Sequence, residues 1–364
     1  MEQELSAIQK GSTEHAGFVD YIGPGRVHLA TGNLTQRIQP PASGRLQLQT
    51  NFAYQSIVGQ PGELAAGWRD LFEQRVDTID ETTVEVTKGS GTVRRYTNLQ
   101  ASGYYDPPAG VANALLKNGA AGWIETRTDG MKLHYFPADD SPTAGRLSVM
   151  QNRSGARWTL AYDQSRVSSV TDPQQNRTTY GYDAAGSLRR IVDPAERITT
   201  YTIENGDLTQ VITPDAASTQ MRYDLLGRLT TWIASSGGRT TYSYDAFDRV
   251  SRVQTSNGAR TTYAYQSGRT AVTDPSGQIT TFTVNDEHRI DSVVDAQGQR
   301  TSYTWDNGRL AAVANPGGER TTMIYAAVGN GVPRLQGLLQ PSGRRFSIIH
   351  NTATRHVNSS GTPR

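Results

Sequence analysis

Large side chains recur every 19 to 21 residues through the second half of this 364-residue chain. Aligned positions are Tyr162, Tyr182, Ile203, Tyr223, Tyr244, Tyr265, Val284, Trp305 and Tyr325, with successive spacings of 20, 21, 20, 21, 21, 19, 21 and 20. Two residues before each stands another large group: Leu160, Tyr180, Tyr201, Met221, Tyr242, Tyr263, Phe282, Tyr303 and Met323. A fixed short period marks an array of supersecondary units, none of which can bury its apolar face alone.

Residues i and i+2 share a face only in a strand, and flanking pairs such as Thr240 and Thr241 are β-branched, so this part of each unit is predicted as strand. The chain then turns. Asp183 with Gly186, Asp224 with Gly227, and Asp245 follow the anchors; Asp can bond its own turn backbone and Gly supplies positive φ. A second strand carries Leu188 and Ile191, Leu229 and Trp232, or Val250 and Val253 at a spacing of three. Strict alternation would put such pairs on opposite faces, so either a β-bulge shifts the register or both faces are partly apolar. The unit closes on a second turn, clearest in "DPSG", where Asp274, Pro275 and Gly277 suit positions i, i+1 and i+3 of a type I turn. "DAQG", ending at Gly298, is a variant.

Each repeat is therefore predicted as a β-hairpin, and the array as an antiparallel meander. Ordering twenty residues costs more than burying four large side chains returns, so hairpins must pack on one another. The paired aromatics are then buried rungs between hairpins. The competing reading is an exposed stacking platform for sugars or bases. Leu160, Ile203, Met221, Val284 and Met323 at equivalent positions favour rungs.

The segments "TTYGYDAAGSLRRIVDP", "MRYDLLGRLTTW" and "TTYSYDAFDRVSRV" resemble the tyrosine-aspartate (YD) repeats of the Rhs family. That family takes in bacterial Rhs proteins, wall-associated protein, the C component of insecticidal toxin complexes, and teneurins. The resemblance covers residues 155 to about 349; "TIENG", "AYQSG", "TVNDE" and "IYAAV" lack the Asp. "RVHLATGNLTQRIQ" and "ELAAGWRDLFEQRV" resemble the segment before such repeats. The resemblance implies a sheet spiralling into a hollow shell that sequesters a toxin. It also implies a self-cleaving plug and a toxin segment, which this sequence is expected to lack.

Composition narrows the alternatives. Net charge is +2 with both signs interspersed, giving no basic patch for nucleic acid. With no cysteine there is no disulfide framework, thiolate metal site or cysteine nucleophile. The first residues lack the apolar core of a signal peptide, and no apolar run is long enough to span a bilayer. Synthesis in the cytoplasm is expected, with a specialised secretion system or cell-surface association as the onward route. HExxH, GxSxG and GxxxxGK[ST] are missing, and His15, His28, His134, His288, His350 and His356 are scattered. No catalytic residue, metal site or cofactor is expected, and the protein is read as a non-enzyme.

The sequence thus predicts an all-β protein. A flexible N-terminus (1–17) is followed by an Rhs-type β region (18–150), about nine hairpins (151–350) and a disordered tail (351–364). The structural anchors are Tyr162, Tyr180, Tyr182, Tyr201, Tyr223, Tyr242, Tyr244, Tyr263, Tyr265, Tyr303, Trp305 and Tyr325. The expected function is an encapsulating shell segment of a polymorphic toxin system used in interbacterial competition. Its partner would be a polypeptide cargo or the remainder of the shell. The alternative is a surface module binding carbohydrate. Unpaired sheet edges are expected to cause self-association.

Overall fold

The structure, a computed structural model, describes residues 19–22, 25–39, 52–57, 64–328, 332–350 and 357–361. Residues 1–17, expected to be flexible, lie outside them. Among the described residues the regular elements are all strands, apart from one 3-10 turn at Gly119–Ala121.

Two small antiparallel sheets come first. Strands β1 (Val19–Ile22), β2 (Gly25–His28), β3 (Leu34–Ile38), β4 (Phe52–Gln55) and β5 (Trp68–Asp70) form one. Strands β6 (Arg75–Thr78), β7 (Val84–Thr87) and β8 (Val93–Tyr96) form the other.

The large sheet opens with β9 (Tyr104–Tyr105), β10 (Ala114–Lys117), β11 (Trp123–Thr126), β12 (Lys132–Tyr135) and β13 (Leu147–Gln151). It continues as β14 (Arg157–Asp163) with β15 (Arg166–Thr171), β16 (Arg177–Tyr182) with β17 (Leu188–Val192), and β18 (Ile198–Glu204) with β19 (Asp207–Ile212). Next come β20 (Ser218–Tyr223) with β21 (Leu229–Ile233), β22 (Arg239–Tyr244) with β23 (Val250–Thr255), and β24 (Arg260–Gln266) with β25 (Arg269–Thr273). The last are β26 (Ile279–Val284) with β27 (Ile290–Val294), β28 (Arg300–Asp306) with β29 (Arg309–Ala314), β30 (Arg320–Val328) with β31 (Val332–Leu339), and β32 (Arg345–His350) with β33 (Val357–Gly361). The pairs from β14–β15 to β30–β31 are the nine expected hairpins.

Two expectations about boundaries are corrected. Residue 150 is no break: β13 pairs with both β12 and β14, so the sheet begins well before the recognisable repeats. The tail is not wholly irregular, because Val357–Gly361 pairs with β32 in the register His350↔Val357 to Phe346↔Gly361, which satisfies the backbone groups on that side. Residues 351–356 and 362–364 lie outside the described residues.

The spacing of three has its explanation in β-bulges. Tyr180 faces Ile191 and Tyr182 faces Leu188, leaving Arg189 unopposed and returning Leu188 and Ile191 to one face. Every hairpin of the nine has this bulge except β24–β25, where Tyr263 faces Val272 and Tyr265 faces Thr270 without a shift. The uneven period follows from it. Where five residues separate anchor and partner, as in Tyr182↔Leu188, a bulged repeat advances 21 residues; with four, as in Tyr162↔Val167, it advances 20. Four residues and no bulge, at Tyr265↔Thr270, give the single spacing of 19. The second turn never varies: Thr171↔Arg177, Thr273↔Ile279 and Ala314↔Arg320 all span the same count.

Strands β9 to β33 follow one another in chain order, each hydrogen-bonded to the next, and among the described residues no register joins β33 to β9. The sheet is open, yet it curls back on itself. At about 4.8 Å per strand, β28 would lie roughly 85 Å from β10 if the sheet were flat. Gly110, however, packs against the backbone of Gly308: a Cβ added at Gly110 would stand 2.7 Å from the Gly308 oxygen. Four residues of chain, reaching at most about 14 Å, separate that contact from the start of β10. The ribbon therefore completes about one revolution, roughly 30 Å across, before running past its own beginning. Apolar rungs line the inside, where one cluster joins Val27, Phe52 and Trp68 of the first small sheet to Tyr180, Tyr201 and Tyr242 of the array.

Candidate functional site

The inner wall is built from rungs of two kinds. The first aromatic of each pair is buried from Leu160 to Tyr263: Leu160 is 3% exposed, Tyr201 1%, Met221 2%, Tyr242 3% and Tyr263 5%. Their opposite neighbours Ile191, Val211 and Val253 are equally buried. The second aromatic is not a fully buried rung, which corrects the expectation for Tyr162, Tyr182, Tyr223, Tyr244, Tyr265, Trp305 and Tyr325, all half-buried. The reason is the polar group each carries. The Tyr182 hydroxyl donates to the Val167 carbonyl at 2.9 Å, Tyr223 to Leu208 at 2.8 Å, Tyr244 to Leu229 at 2.7 Å and Tyr265 to Val250 at 2.8 Å. Tyr162 and Tyr325 repeat the bond to Leu147 and Leu310, and Trp305 makes it through Nε1 to the Ile290 carbonyl. Every acceptor lies fifteen residues upstream, in the preceding unit of the sheet.

In five units the residue just before that acceptor is an arginine that stands over the ring. Arg228 lies 4.7 Å from the Tyr244 centroid and Arg249 4.6 Å from Tyr265; Arg166, Arg289 and Arg309 stand similarly over Tyr182, Trp305 and Tyr325. Where the anchor is aliphatic, at Ile203 and Val284, the equivalent residues are Ser187 and Gly268. Ring and guanidinium thus occur together in five repeats, while Tyr223 has Asp207 in the equivalent place. The turn Asp completes the clamp. Asp224 Oδ1 accepts the backbone N–H groups of Leu226 and Arg228, while Oδ2 binds the Arg228 guanidinium at 2.7 and 2.8 Å. Asp245 does the same with Phe247 and Arg249. Partial burial pushes these carboxyls up, but the arginine and the N–H donors outweigh it and hold both below the usual carboxylate range. Asp183 pairs instead with Arg189. Gly186 and Gly227 take φ of 82° and 74°, and Gly277 and Gly298 take 85° and 80° in the second turns. Asp274, ahead of Pro275, accepts from the N–H groups of Ser276 and Gln278.

The first small sheet covers this wall near the YD turns. Trp68, fully buried, donates through Nε1 to the Tyr223 hydroxyl at 2.8 Å, and the Leu229 N–H donates to the Tyr54 hydroxyl at 2.8 Å. Phe52 meets Tyr201 edge-on at 5.3 Å between centroids. Further bonds extend the seam: Ala66 N–H to the Gly206 carbonyl and Val250 N–H to the Gly32 carbonyl between backbones, and the Thr270 hydroxyl to the Leu29 carbonyl. Positive φ at Gly32, 69°, brings its backbone so near Arg249 that a Cβ would stand 2.3 Å from the arginine Cβ.

The second small sheet is tied down by a buried ionic cluster that the sequence did not disclose. Glu125 on β11 has a fully buried side chain and binds Lys88 Nζ at 2.6 Å. It also accepts from Asn113 at 2.7 Å and from the Tyr135 hydroxyl at 2.9 Å, and Arg94 stands 3.7 Å away. Burial pushes the Glu125 carboxyl up, yet Lys88, Asn113 and Arg94 together bring it down to about 2. Alternation after Trp123 does place residue 125 inward, but nothing local names Lys88, which lies 37 residues earlier.

Among the described residues no group of three His, Asp or Glu side chains could hold a metal ion, and no helix is long and apolar enough to cross a membrane. A polar depression of about 420 Å³ is lined by Glu204, Asp207, Gln210, Gln220, Arg222 and neighbours. Burial first, and Asp224 second, push the Asp207 carboxyl up. His134 is pushed down mainly by burial. Of the anchors, Tyr180, Tyr201, Tyr242 and Tyr263 lie in the inner cluster, and Tyr303 is half-buried against it.

The family model described as RHS Repeat matches residues 163–198, 204–240, 223–262 and 284–321, and these segments are RHS repeats. No curated protein matches the sequence. Among solved structures, the chain is similar to a mutant Tc holotoxin pore from Photorhabdus luminescens, at 14% identity and TM-score 0.38, covering 96% of this chain and 22% of that one. It is also similar to a chain of TcdB2-TccC3-TEV, at 12% identity and TM-score 0.41, covering 90% and 22%. A third, TcdB2-TccC3, gives 16% identity and TM-score 0.34, covering 94% and 20%. The chain spans about a fifth of the length of the solved chains it matches.

Proposed function

We propose that this chain, built from RHS repeats through much of its second half, is a wall segment of a shell that encloses another polypeptide within a polymorphic toxin system. The segment acts by shape and carries no catalytic centre of its own. The observation behind this reading is the curled sheet, which presents its apolar rungs to the inside and returns to itself at Gly110 and Gly308. A wall of this sort need only exclude water and protease from what it surrounds. The half-exposed aromatics do not favour a sugar platform, because several stand beneath an arginine and spend their polar group on a carbonyl.

The test is protection of a tethered guest. An unstructured, protease-sensitive reporter fused after residue 364 is cleaved several-fold more slowly than the same reporter fused to an unrelated β protein. Cleavage at the unprotected rate overturns the reading. In its native setting, cross-links from the inner face to a toxic polypeptide made with this chain would place it in interbacterial competition.

A further inference from the structure

Two sheet faces meet at Glu125. On the large sheet, Glu125 of β11 faces Leu115 of β10 and Leu133 of β12, so Asn113 and Tyr135, each two residues from those partners, lie diagonally beside it on the same face. On the second small sheet, Val84 faces Tyr96 and Val86 faces Arg94; Lys88, whose N–H continues the ladder to the Thr92 carbonyl, extends that face. Packing the two faces buries Lys88, Asn113 and Glu125 to 7%, 8% and 0% exposure, with Tyr96 and Tyr135 fully buried beside them. The carboxylate then divides its oxygens: Oε2 takes Lys88 Nζ at 2.6 Å, and Oε1 takes Asn113 Nδ2 at 2.7 Å. One amine and one amide nitrogen are thus held on a single acid–base group, away from water.

We propose that Lys88 and Asn113 join through a side-chain amide, formed once within each chain with Glu125 as the proton carrier. The Lys88 ammonium passes a proton to Oε2, and the freed amine attacks Asn113 Cγ. A bond from Nζ to Cγ forms and the bond from Cγ to Nδ2 breaks. The lysine nitrogen sheds a second proton as the amide forms. Both protons end on the departing nitrogen, so an ammonium ion leaves and Glu125 is a carboxylate again. Holding the reacting groups as fixed neighbours is what makes such an attack possible in a protein interior. Arg94, 3.7 Å from Oε1, supplies positive charge near the amide as its oxygen becomes an oxyanion. Burial pushes the Lys88 ammonium down and Glu125 pulls it up, with a net direction of down, which favours the amine. Glu125, held at about 2, leaves the proton on Lys88 at rest, so the reaction is slow; it turns over no substrate and need happen only once. The ion pair is the state before ligation, after which Glu125 keeps Arg94 and Tyr135. The chain has no cysteine, so no disulfide could tie the second small sheet to the start of the large one, as this amide does.

Mass spectrometry of the full chain reads the reaction. Held at mildly alkaline pH, wild type becomes lighter by one ammonia. Trypsin then yields a branched peptide in which residues 76–94, uncut at Lys88, carry residues 96–117. Lys88→Arg, which keeps the charge but lacks the attacking amine, and Asn113→Ala give no branched peptide. Glu125→Gln slows its formation about a hundredfold or more. Wild type that shows hydrogen-exchange protection in β7 and β11 yet releases 76–88 and 96–117 as separate peptides overturns the proposal, whether or not the variants fold. So does a loss of ammonia without the branched peptide, which marks ring closure at an asparagine. Equal rates in wild type and Glu125→Gln also overturn it, because the proton carrier is then not Glu125.

Discussion

Hairpins β16–β17 to β24–β25 and hairpins β26–β27 to β28–β29 are written in the same repeat, yet they are stabilised differently. In the first group, Tyr201, Met221 and Tyr242 are buried in one cluster with Phe52, Tyr54 and Trp68. In the second, Phe282 and Tyr303 retain exposure and the hairpins rely on their own clamps, such as Trp305 between Arg289 and the Ile290 carbonyl. A hairpin repeat therefore supplies a wall, while burial on its inner side is supplied by whatever lies against it. The stability of such an array is local, distributed among neighbouring interfaces.

The sharpest break in that comparison comes from the covering layer. Trp68→Ala is expected to cost about 3–5 kcal/mol as a cavity in a fully buried site. Hydrogen exchange should show the lost protection in β18 to β23 and little change in β28 and β29. Uniform loss across the array would show that the two groups fold as one unit.

Glu125→Gln tests the other small sheet. It leaves Lys88 and Arg94 buried beside a neutral group, and a loss of about 3 kcal/mol at neutral pH is expected. The folded carboxyl titrates at about 2 against an ordinary 4.5, so its contribution is fully present above 4.5 and disappears as pH falls toward 2. Denaturant midpoints of wild type and variant should therefore converge across that window and stay apart above it.

Smaller effects sharpen the contrast. Tyr223→Phe removes a hydroxyl that both donates to Leu208 and accepts from Trp68, and should cost about 2 kcal/mol; Tyr325→Phe, losing one bond to Leu310, should cost about 1. Equal losses in thermal melts would deny Tyr223 its role in the seam. Gly277→Ala, at positive φ with open space around it, should cost only about 1 kcal/mol.

Much of this molecule could be read from residue order, because a strand's faces and a turn's φ are local matters. The anchors, the hairpins and the turn roles of Asp224 and Gly227 follow from alternation and backbone sterics within a few residues. The bulge was one of two readings of the Leu188 and Ile191 spacing; only the register decides it, since an extra residue is visible only against its partner strand. The half-buried state of Tyr182 likewise depends on a carbonyl fifteen residues away.

Sequence by itself determined that the chain is a train of β-hairpins, since period, alternation and turn chemistry act over distances shorter than one repeat. Tertiary structure alone decided that the ribbon curls until Gly110 meets Gly308, that Trp68 seals one stretch of the wall and not the next, and that Glu125 holds Lys88. Those contacts join residues tens to hundreds of positions apart. Their geometry is the accumulated twist and bulging of many strands, which no single repeat encodes.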